Sequence, residues 1–508
     1  MSGLVGNLIR WAERHPDALA LCDVRSGGAD RKLSWLELCN AAAGFGRRLE
    51  NAPPGAVMVA SPNCCETQIA LLGGLWAGRD VLPVSPAAPP AALASLIQRA
   101  GISTVVGAAA LGDGVANPID PASLWRDSDA RTLPAAPGGG GAILVESSGT
   151  TGTPKIVRRD AQSLEALGSM VSAALQLEAS DRILLTVPLH HSYGIDIGMA
   201  GLLTAGCSME IHERFAPATA RTAIEERGIT VWPAVPLMFD ALSRTGISAL
   251  GDNERIPTTL RKAVSAGSPL PRRIFDQFER TFGVRIGQIY GASEYGSVTY
   301  GDPDAPGFEP ASVGMPMPGV TIRIVDLERN EPDPSLPVGA EGEIWVAAPS
   351  RLDRYVDSEE APASAGFVRS GDLGRIDSAG RLWLTGRVKL LIDVGAQSIN
   401  PLEVEEILTR HPQVAEAVVI ATGFSDTADR LKAIVVPSSD QTPDVAQLRE
   451  FASARLAAPK VQRFFEIRSD LPRSATGKIL RRELQAAEGE TRAARLAARK
   501  GSGKRRSA

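Results

Sequence analysis

Short apolar segments of strand character alternate with amphipathic segments of helical period through the first 130 residues or so. The helical pattern of LVGNLIRWAERHP is followed by that of SWLELCNAAAGFGRRLEN, which opens with a plausible cap at Ser34. The runs AVMVASPN and RDVLPVSP are typical of buried strands, and the helical segment CETQIALLGGLWAG lies between them. Strands that alternate with helices predict a parallel sheet covered on both faces. The sequence therefore predicts an α/β fold.

The 508-residue chain is too long for one ordinary core, so we expect two or more domains. The α/β alternation resumes after LPAAPGGGGA at 133–142, and short strands and turns from about residue 310 predict a small β-rich subdomain or β-barrel. After TGRVK the pattern is that of a compact α+β unit of roughly a hundred residues. We predict an N-terminal domain over 1–386, a C-terminal domain over 387–488 and a disordered basic tail over 489–508.

Composition excludes several classes of protein. A hydrophobic fraction of 44% with 22% charged residues indicates a soluble globular protein, and a net charge of −4 disfavours a chain that coats nucleic acid. The five cysteines show no zinc or disulfide spacing, so we interpret them as packed thiols. We expect no signal peptide and no membrane span, and a cytoplasmic location. The basic tail is a solvated segment or a patch that contacts an anionic partner.

The segment ESSGTTGTPKIVRR, residues 146–159, carries the strongest chemical signal. A predicted strand precedes it, and its glycines let backbone N–H groups approach an anion closely. Its hydroxyl groups and Lys155 suit a di- or triphosphate, which needs many donors and some positive charge. The common phosphate-loop pattern is not met, because Ile156 follows the lysine. A polar surface loop is the alternative interpretation.

The sequence resembles the adenylate-forming superfamily, which comprises acyl- and aryl-CoA synthetases, firefly-type luciferases and the adenylation domains of nonribosomal peptide synthetases. SSGTTGTPK matches the superfamily's loop closely, and seven further segments follow in the superfamily's order. They extend from AGRDVLPVSPAAPP near residue 77 to SATGKIL near residue 474, so the resemblance covers nearly the whole chain. It implies a large N-terminal domain of α/β subdomains with a small β-barrel, followed by a small, mobile α+β domain.

The resemblance also implies where ATP and AMP bind. Adenine would lie against VSAGSPLP and stack on the tyrosine of IYGASEYG. The carboxylate of SGDLGRID would accept the ribose hydroxyls, and the arginine of TGRVK would join it at the ribose or phosphate. The implied nucleotide-binding residues are Ser147, Ser148, Gly149, Thr150, Thr151, Thr153, Lys155, Gly267, Ser268, Pro269, Tyr290, Gly291, Ser293, Asp372 and Arg387.

Three residues take catalytic roles through the resemblance. Glu294 would hold Mg²⁺, since this cation on a triphosphate needs one carboxylate plus phosphate oxygens and water. Lys478 of PRSATGKIL aligns with the lysine that reaches the α-phosphate during adenylation. His191 of PLHHSYG aligns with the residue that lies beside the acyl carboxylate and gates the pocket, whereas we interpret His190 as structural.

Two half-reactions follow from the resemblance. A carboxylate attacks ATP to give an acyl-AMP and pyrophosphate, and a thiol then attacks the acyl-AMP and releases AMP. Between them the C-terminal domain would rotate about Lys389. GAQSINPLEVEEIL would then line the thiol tunnel with Gly395, Ala396 and Gln397, although the superfamily often has a second glycine in place of Ala396.

The predicted acid pocket is apolar with a few polar tips, which suits an aryl or medium acyl carboxylate. Its predicted wall consists of His191, Ser192, Tyr193, Trp232, Ala234, Val235, Ala266, Ile289 and Gly291. Amino-acid adenylation is a lesser alternative, because the context of Asp196 differs from the FDxS-like segment of peptide synthetases.

The predicted thiol is that of CoA, and the phosphopantetheine arm of an acidic carrier protein acting in trans is the main alternative. A luciferase-like oxidation, a non-catalytic nucleotide-binding protein and nucleic-acid binding through the tail are disfavoured. Glu294, Asp372, Arg387 and Lys478 are all present, which argues against a protein that only binds nucleotide.

Overall fold

A computed structural model provides the structure of the chain. It describes residues 3–24, 29–107, 118–135, 140–147, 154–245, 255–359, 363–394, 397–425, 428–438, 443–456, 460–461, 464–473, 479–481 and 483–488. The chain divides into two compact units. The first comprises Met1–Val338, Trp345–Ser370 and Ile376–Trp383, and the second comprises Gly339–Ile344, Gly371–Arg375 and Leu384–Ala508.

A seven-stranded sheet in the first unit carries the hydroxyl-rich loop, which is the segment 147–155. Its strands are β3 (Ala56–Ala60), β4 (Val81–Pro83), β5 (Ile102–Gly107), β6 (Pro118–Ile119), β7 (Ala142–Glu146), β8 (Ile156–Asp160) and β18 (Arg354–Tyr355), in the order β18-β8-β7-β4-β3-β5-β6. Neighbours from β7 to β6 are parallel, whereas β8 is antiparallel to β7 and to β18. The loop thus connects two adjacent antiparallel strands.

The first unit also contains a nine-stranded sheet. Its strands are β1 (Leu19–Val24), β2 (Arg31–Ser34), β9 (Arg182–Leu185), β10 (Ser208–His212), β11 (Val231–Ala234), β12 (Lys262–Ser265), β13 (Ile286–Ala292), β14 (Gly296–Gly301) and β15 (Met315–Pro316). The order is β15-β14-β13-β12-β11-β9-β10-β1-β2. The run from β13 to β1 is parallel, and β2, β14 and β15 add antiparallel edges.

The α-helices of the first unit precede or connect these strands in the chain. They are α1 (Gly3–Arg14), α2 (Trp35–Glu50), α3 (Cys65–Trp76), α4 (Pro90–Arg99), α5 (Ala161–Leu175), α6 (Ser192–Ile195), α7 (Leu202–Ala205), α8 (Pro217–Glu226), α9 (Pro236–Arg244) and α10 (Arg272–Phe282). A π-helical stretch, Asp196–Gly201, joins α6 to α7. The predicted cap of α2 is confirmed: Ser34 Oγ accepts a hydrogen bond from Glu37 N at 3.3 Å, and Ser34 N donates to Glu37 Oε2 at 2.8 Å.

The β-rich region predicted from about residue 310 contains a four-stranded sheet. Its strands are β16 (Thr321–Val325), β17 (Gly342–Ala347), β19 (Val368–Ile376) and β20 (Leu382–Arg387), in the order β16-β17-β19-β20. Val325, Trp345 and Phe367 form a small apolar cluster there.

The second unit has the predicted α+β texture. A hairpin of β21 (Ile392–Val394) and β22 (Gln397–Ile399) precedes a three-stranded sheet of β23 (Val414–Ser425), β24 (Ala428–Pro437) and β25 (Phe464–Ile467). The helices are α11 (Pro401–Thr409) and α12 (Val445–Ser453). Val404 and Leu408 of α11 and Leu448 of α12 share one core with the sheet. The predicted mixed α/β class, with a large N-terminal and a small C-terminal domain, is confirmed.

All five cysteines are free and buried, which confirms their interpretation as packed thiols. Burial raises the pKa of the Cys39 and Cys207 thiols to about 12, so both are protonated at neutral pH. No helix in the described parts of the chain is long and apolar enough to cross a membrane.

Candidate active site

The two ends of the hydroxyl-rich loop are joined by hydrogen bonds. Ser147 N donates to Lys155 O at 2.8 Å, and Lys155 N donates to Ser147 Oγ at 3.0 Å. The Lys155 ammonium lies 4.7 Å from the centroid of the Tyr355 ring, a cation–π geometry. The remaining loop residues of the prediction lie outside the described parts of the chain: Ser148, Gly149, Thr150, Thr151 and Thr153.

Ile156, which replaces the hydroxyl residue of a common phosphate loop, is a core residue. It is completely buried and packs in an apolar cluster that includes Met58 and Leu82. Because it opens β8 with its side chain in this core, a bulky apolar residue is favoured at the position. Its backbone N–H donates to Asp357 Oδ1 at 2.9 Å.

Arg99 at the end of α4 connects the loop ends to Asp357. Its Nε donates to Asp357 Oδ2 at 2.9 Å, its Nη2 donates to Pro154 O, and its Nη1 lies 3.5 Å from Glu146 Oε1. Burial raises the pKa of the Glu146 carboxyl, although Arg99 opposes the shift. Backbone and side-chain contacts thus fix the residues on both sides of the loop.

The PLHHSYG segment follows β9 and leads into α6. His190 and His191 contact each other with ring centroids 4.6 Å apart, and burial lowers the pKa of His190 to about 3. The Tyr193 hydroxyl donates to Val264 O at 2.7 Å, and burial raises its pKa well above the usual value. At Gly194 a Cβ would lie 2.2 Å from Pro188 O, so this close turn requires glycine.

Glu294 lies in the turn of the β13–β14 hairpin and is partly exposed. Its backbone oxygen accepts a hydrogen bond from Leu352 N at 2.7 Å. A Cβ at Gly291 would lie 2.3 Å from Gly296 O, so the close approach of the two strands requires glycine there. Ser293 is partly exposed beside Glu294. Tyr290 is buried, and its hydroxyl lies 2.8 Å from that of Tyr295.

The donor set at this turn fits Mg²⁺ bound together with a nucleotide. Glu294 offers one carboxylate on a partly exposed turn, and a magnesium ion on a triphosphate takes its other ligands from phosphate and water. The described residues contain no group of three or more His, Cys, Asp or Glu side chains that could hold a metal ion.

The predicted adenine segment follows β12. Gly267 has a φ of +87°, and Ser268 and Pro269 are exposed. The left-handed conformation at Gly267 turns the chain directly after the strand. Ala266 N donates to Ala234 O at 3.3 Å, so this segment lies beside the end of β11.

The predicted wall of the acid pocket divides into two groups. Val235, Ala266 and Ile289 are 5–7% exposed; Val235 and Ala266 lie just beyond the ends of β11 and β12, and Ile289 lies within β13. Trp232 and Ala234 have no exposed surface. The Trp232 indole donates to Thr186 Oγ1 at 3.1 Å and packs edge-on against Phe239 with centroids 4.7 Å apart. Trp232 therefore contributes to the aromatic core behind this wall.

The predicted site segments of the first unit converge at one edge of the nine-stranded sheet. Strands β9, β11, β12 and β13 are parallel neighbours in that order. His191, Val235, Gly267 and Glu294 each follow or lie just beyond the carboxyl end of one of these strands. The carboxyl ends of parallel strands are the edge at which α/β proteins bind their ligands.

The second unit brings Asp372 and Arg387 together. Arg387 Nε lies 2.7 Å from Asp372 Oδ1, across the neighbouring strands β19 and β20. Lys389 is exposed in the short 3₁₀ helix Val388–Leu390. Gln397 begins β22, whereas Gly395 and Ala396 lie outside the described residues.

Lys478 also lies outside the described residues, but the positions on either side of it are defined. Arg473 and Ile479 form an antiparallel bridge. Arg473 pairs with Glu416, and Arg481 pairs with Glu405 of α11. Burial raises the pKa of the Glu405 carboxyl, and the paired Arg481 opposes the shift. Ion pairs therefore anchor both flanks of the segment that contains Lys478.

Comparisons with known proteins match almost the whole chain. Residues 8–356 match the family described as AMP-binding enzyme, and residues 403–478 match the AMP-binding enzyme C-terminal domain. The chain is 30% identical over 507 residues to a 4-chlorobenzoate–CoA ligase of an Arthrobacter species, covering 94% of each chain. It is 31% identical to the fatty acid–[acyl-carrier-protein] ligase ScoC of Streptomyces coeruleorubidus, over 67% of this chain and 66% of that one.

Among solved structures, the chain is similar to ATP-bound MatB from Rhodopseudomonas palustris. The TM-score is 0.86 at 25% sequence identity, and the match covers 96% of this chain and 99% of that one.

Proposed function

This chain belongs to the AMP-binding enzyme family, and on that premise we propose that it is an acid–thiol ligase that forms a thioester in two steps. It activates an aryl or medium acyl carboxylic acid with ATP and then transfers the acyl group to the thiol of CoA. The observation that carries this proposal is the convergence of four site segments at the carboxyl ends of β9, β11, β12 and β13.

In the first step a carboxylate oxygen of the acid attacks the α-phosphorus of ATP. A bond forms between that oxygen and phosphorus, the bond to the bridging oxygen breaks, and pyrophosphate leaves. The chain supplies no nucleophile, so its contribution is positioning and charge stabilisation. In this proposal His191 lies beside the carboxylate, and Lys155 and Ser147 contact the phosphates.

Developing negative charge on the phosphates is met by cations. Glu294 would hold Mg²⁺, which neutralises triphosphate charge when it is bound. We assign Lys478 to the α-phosphate and Lys155 to an auxiliary role. Loss of one preorganised contact of this kind typically lowers the rate by about 10² to 10³.

In the second step the thiol sulfur attacks the acyl carbon of the acyl-AMP. A carbon–sulfur bond forms, the carbon–oxygen bond to phosphate breaks, AMP leaves and the thiol proton is lost. Asp372 and Arg387 are proposed to hold the ribose, and Gly395, Ala396 and Gln397 to line the thiol tunnel after rotation about Lys389.

The acid class is supported by the pocket wall and by one relative. Val235 and Ala266, just beyond the ends of β11 and β12, and Ile289 within β13 supply apolar side chains. The 4-chlorobenzoate–CoA ligase relative acts on an aryl acid. An amino-acid substrate is disfavoured, because Asp196 is buried and paired with Arg159 rather than exposed to an ammonium group.

The acceptor has one supported alternative. The similarity to an acyl-carrier-protein ligase favours, as a second candidate, a holo carrier protein acting in trans. An acidic carrier would complement the basic residues after 489. We also propose that the enzyme acts in the cytoplasm.

Pyrophosphate release tests the proposal. It is measured with MgATP over a panel of aryl, fatty and amino acids and repeated with CoA and with a holo carrier protein. We expect release with an aryl or medium acyl acid and a thioester of CoA. Absence of carboxylate-dependent release from every acid overturns the proposal, and a thioester formed on the carrier alone favours the second candidate.

A further inference from the structure

A completely buried arginine lies in β8, four residues after Lys155. The Arg159 side chain is 0% exposed, and the Asp196 side chain is 3% exposed. Arg159 Nη1 lies 3.1 Å from Asp196 Oδ1. A buried charge is strongly destabilising unless it is paired. The opposite charges compensate each other, and at these exposures the two side chains form an internal contact rather than a surface that meets the acid or ATP.

The pair also bonds two segments of the candidate site, and both of its members contact Ser192. Arg159 Nη2 donates to Ser192 Oγ at 2.9 Å, and Ser192 directly follows His191. Ser297 Oγ donates to Asp196 Oδ2 at 2.7 Å, and Ser297 lies three residues after Glu294. The pair therefore connects the segment of the predicted carboxylate gate with the hairpin of the predicted metal ligand.

The guanidinium also leaves no room for a side chain on the hairpin at Gly296. Gly296 has a φ of +69°, and a Cβ built there would lie 2.7 Å from Arg159 Nη1 and 2.7 Å from Leu167 Cδ1. No side chain fits at this position, because the guanidinium and the Leu167 side chain fill the space beside the backbone two residues after Glu294.

The helix that carries Asp196 departs from α-helical geometry at that residue. The π-helical stretch Asp196–Gly201 begins there, directly after α6. π-Helical turns are rare in proteins, and those that occur are often at functional sites. The departure from α-helical geometry coincides with the point at which the helix contacts both β8 and the hairpin.

We propose that the Arg159–Asp196 pair is a positioning element that fixes the His191 segment relative to the Glu294 turn, and so sets how the acid meets the nucleotide. Apolar residues of similar volume often replace a buried ion pair without loss of stability. Apolar side chains cannot form hydrogen bonds with the hydroxyls of Ser192 and Ser297, whereas Arg159 and Asp196 do. The inference rests on the proposed function.

A double apolar replacement separates positioning from simple stabilisation. In Arg159→Met/Asp196→Leu the charges are removed together, so no buried charge is left unpaired, and we expect only the modest fall in thermal midpoint that follows from the lost bonds to Ser192 and Ser297. We expect kcat/KM for carboxylate-dependent pyrophosphate release to fall about 100-fold, since a shift of about 1 Å in reacting groups has that effect. A double variant with wild-type stability and wild-type kcat/KM overturns the proposal.

The Asp181–Arg261 pair is the matched control. Asp181 precedes β9 and Arg261 precedes β12, so this pair lies at the amino ends of the strands, away from the candidate site. Asp181 is 3% exposed on its side chain, and Arg261 Nε donates to Asp181 Oδ1 at 2.8 Å. In Asp181→Leu/Arg261→Met we expect kcat/KM to stay at the wild-type value. An equal loss in both double variants overturns the positioning role.

Two serine variants keep the proposal falsifiable if the double variant does not fold. We expect Ser192→Ala to raise KM for the acid about fivefold at unchanged KM for MgATP, and Ser297→Ala to raise KM for MgATP instead. Wild-type KM values in both variants overturn the inference. A wild type without carboxylate-dependent release overturns the proposed function as well, whereas an active wild type with equally active variants overturns only this inference.

Discussion

The ion pair of Asp372 and Arg387 makes the proposed ribose contact testable with one altered substrate. We expect wild-type enzyme to use ATP about tenfold better than 2′-deoxy-ATP, since a hydrogen bond to a charged group contributes about 1.5–3 kcal/mol. In Asp372→Ala that preference disappears, because the acceptor of the hydroxyl is gone. Initial rates of pyrophosphate release with each nucleotide give the ratio.

A control carboxylate lies on the turn after β19. Asp377 pairs with Arg381 at 2.8 Å and has no part in the proposed site. Asp377→Ala should keep the wild-type preference for ATP. A preference that persists in Asp372→Ala shows that another residue holds the 2′-hydroxyl.

His190 gives the protein a predictable sensitivity to acid. Burial, with a smaller effect of His191, lowers its pKa from 6.5 to about 3, so the folded state holds the neutral imidazole. The free energy of unfolding is therefore unaffected by this group above pH 6.5 and decreases as the pH falls toward 3, because the unfolded state binds the proton more readily. At pH 5 the loss is on the order of 1–2 kcal/mol.

Thermal unfolding of wild type and His190→Phe at pH 8 and pH 5 checks this expectation. The variant should lose less stability between the two pH values than the wild type does. An equal loss in both proteins would show that His190 is not held neutral by the fold.

Some residue roles follow from sequence and others do not. The cap at Ser34 is local and was predictable, because Ser followed by Glu three residues later is a capping box. Trp232 was predicted at the pocket wall, yet its ring is completely buried against Phe239. A strand sequence does not specify which of its apolar side chains meets a ligand and which meets a covering helix.

At the scale of elements, the strand β8 and its neighbours decide how the hydroxyl-rich loop is held. We expect Asp357→Asn to raise KM for MgATP about tenfold with little change in KM for the acid. Asp357 accepts hydrogen bonds from Ile156 N and from Arg99, and loss of a charged acceptor costs about 1.5–3 kcal/mol. Steady-state kinetics with each substrate varied in turn give both values.

Asp353 is the matched control for this loop. It pairs with Arg158 of the same strand at 2.7 Å but has no observed contact with the loop ends among the described residues. Asp353→Asn should leave both KM values unchanged. A rise in KM for MgATP in the control equal to that in Asp357→Asn would contradict the role of Asp357.

Element types were largely predictable, but their partners were not. The alternation of helices and strands indicated parallel sheets, and the central strands are parallel as expected. The pairing of β1 with β10, and of β18 with β8, joins segments that lie far apart in the chain. Apolar periodicity is a local property, whereas a strand's neighbour is set by the packing of the whole sheet.

At the scale of the whole molecule, the order of motifs along the chain gave the fold class and the family. The boundary at residue 386 and the hinge at Lys389 stay predictions. The convergence of the site segments required the order β9-β11-β12-β13, which no single motif contains.

The two half-reactions should separate in one variant. We expect Lys478→Ala to lower acyl-AMP formation about 10² to 10³-fold, since Lys478 is assigned to the α-phosphate only during adenylation. Thioester formation from a supplied acyl-AMP and CoA should stay near the wild-type rate. Single-turnover assays of each half-reaction measure both rates, and an equal loss in both would remove Lys478 from this role.

The central claim is that the acid is activated through an acyl-AMP. The most direct test uses the acid that gives the highest pyrophosphate release, labelled with ¹⁸O in its carboxylate, together with MgATP and CoA. Because a carboxylate oxygen bonds to the α-phosphorus and stays there when the thiol attacks, we predict AMP that carries one ¹⁸O atom by mass spectrometry. Label in orthophosphate with ADP as the nucleotide product, or AMP without label, would contradict the account.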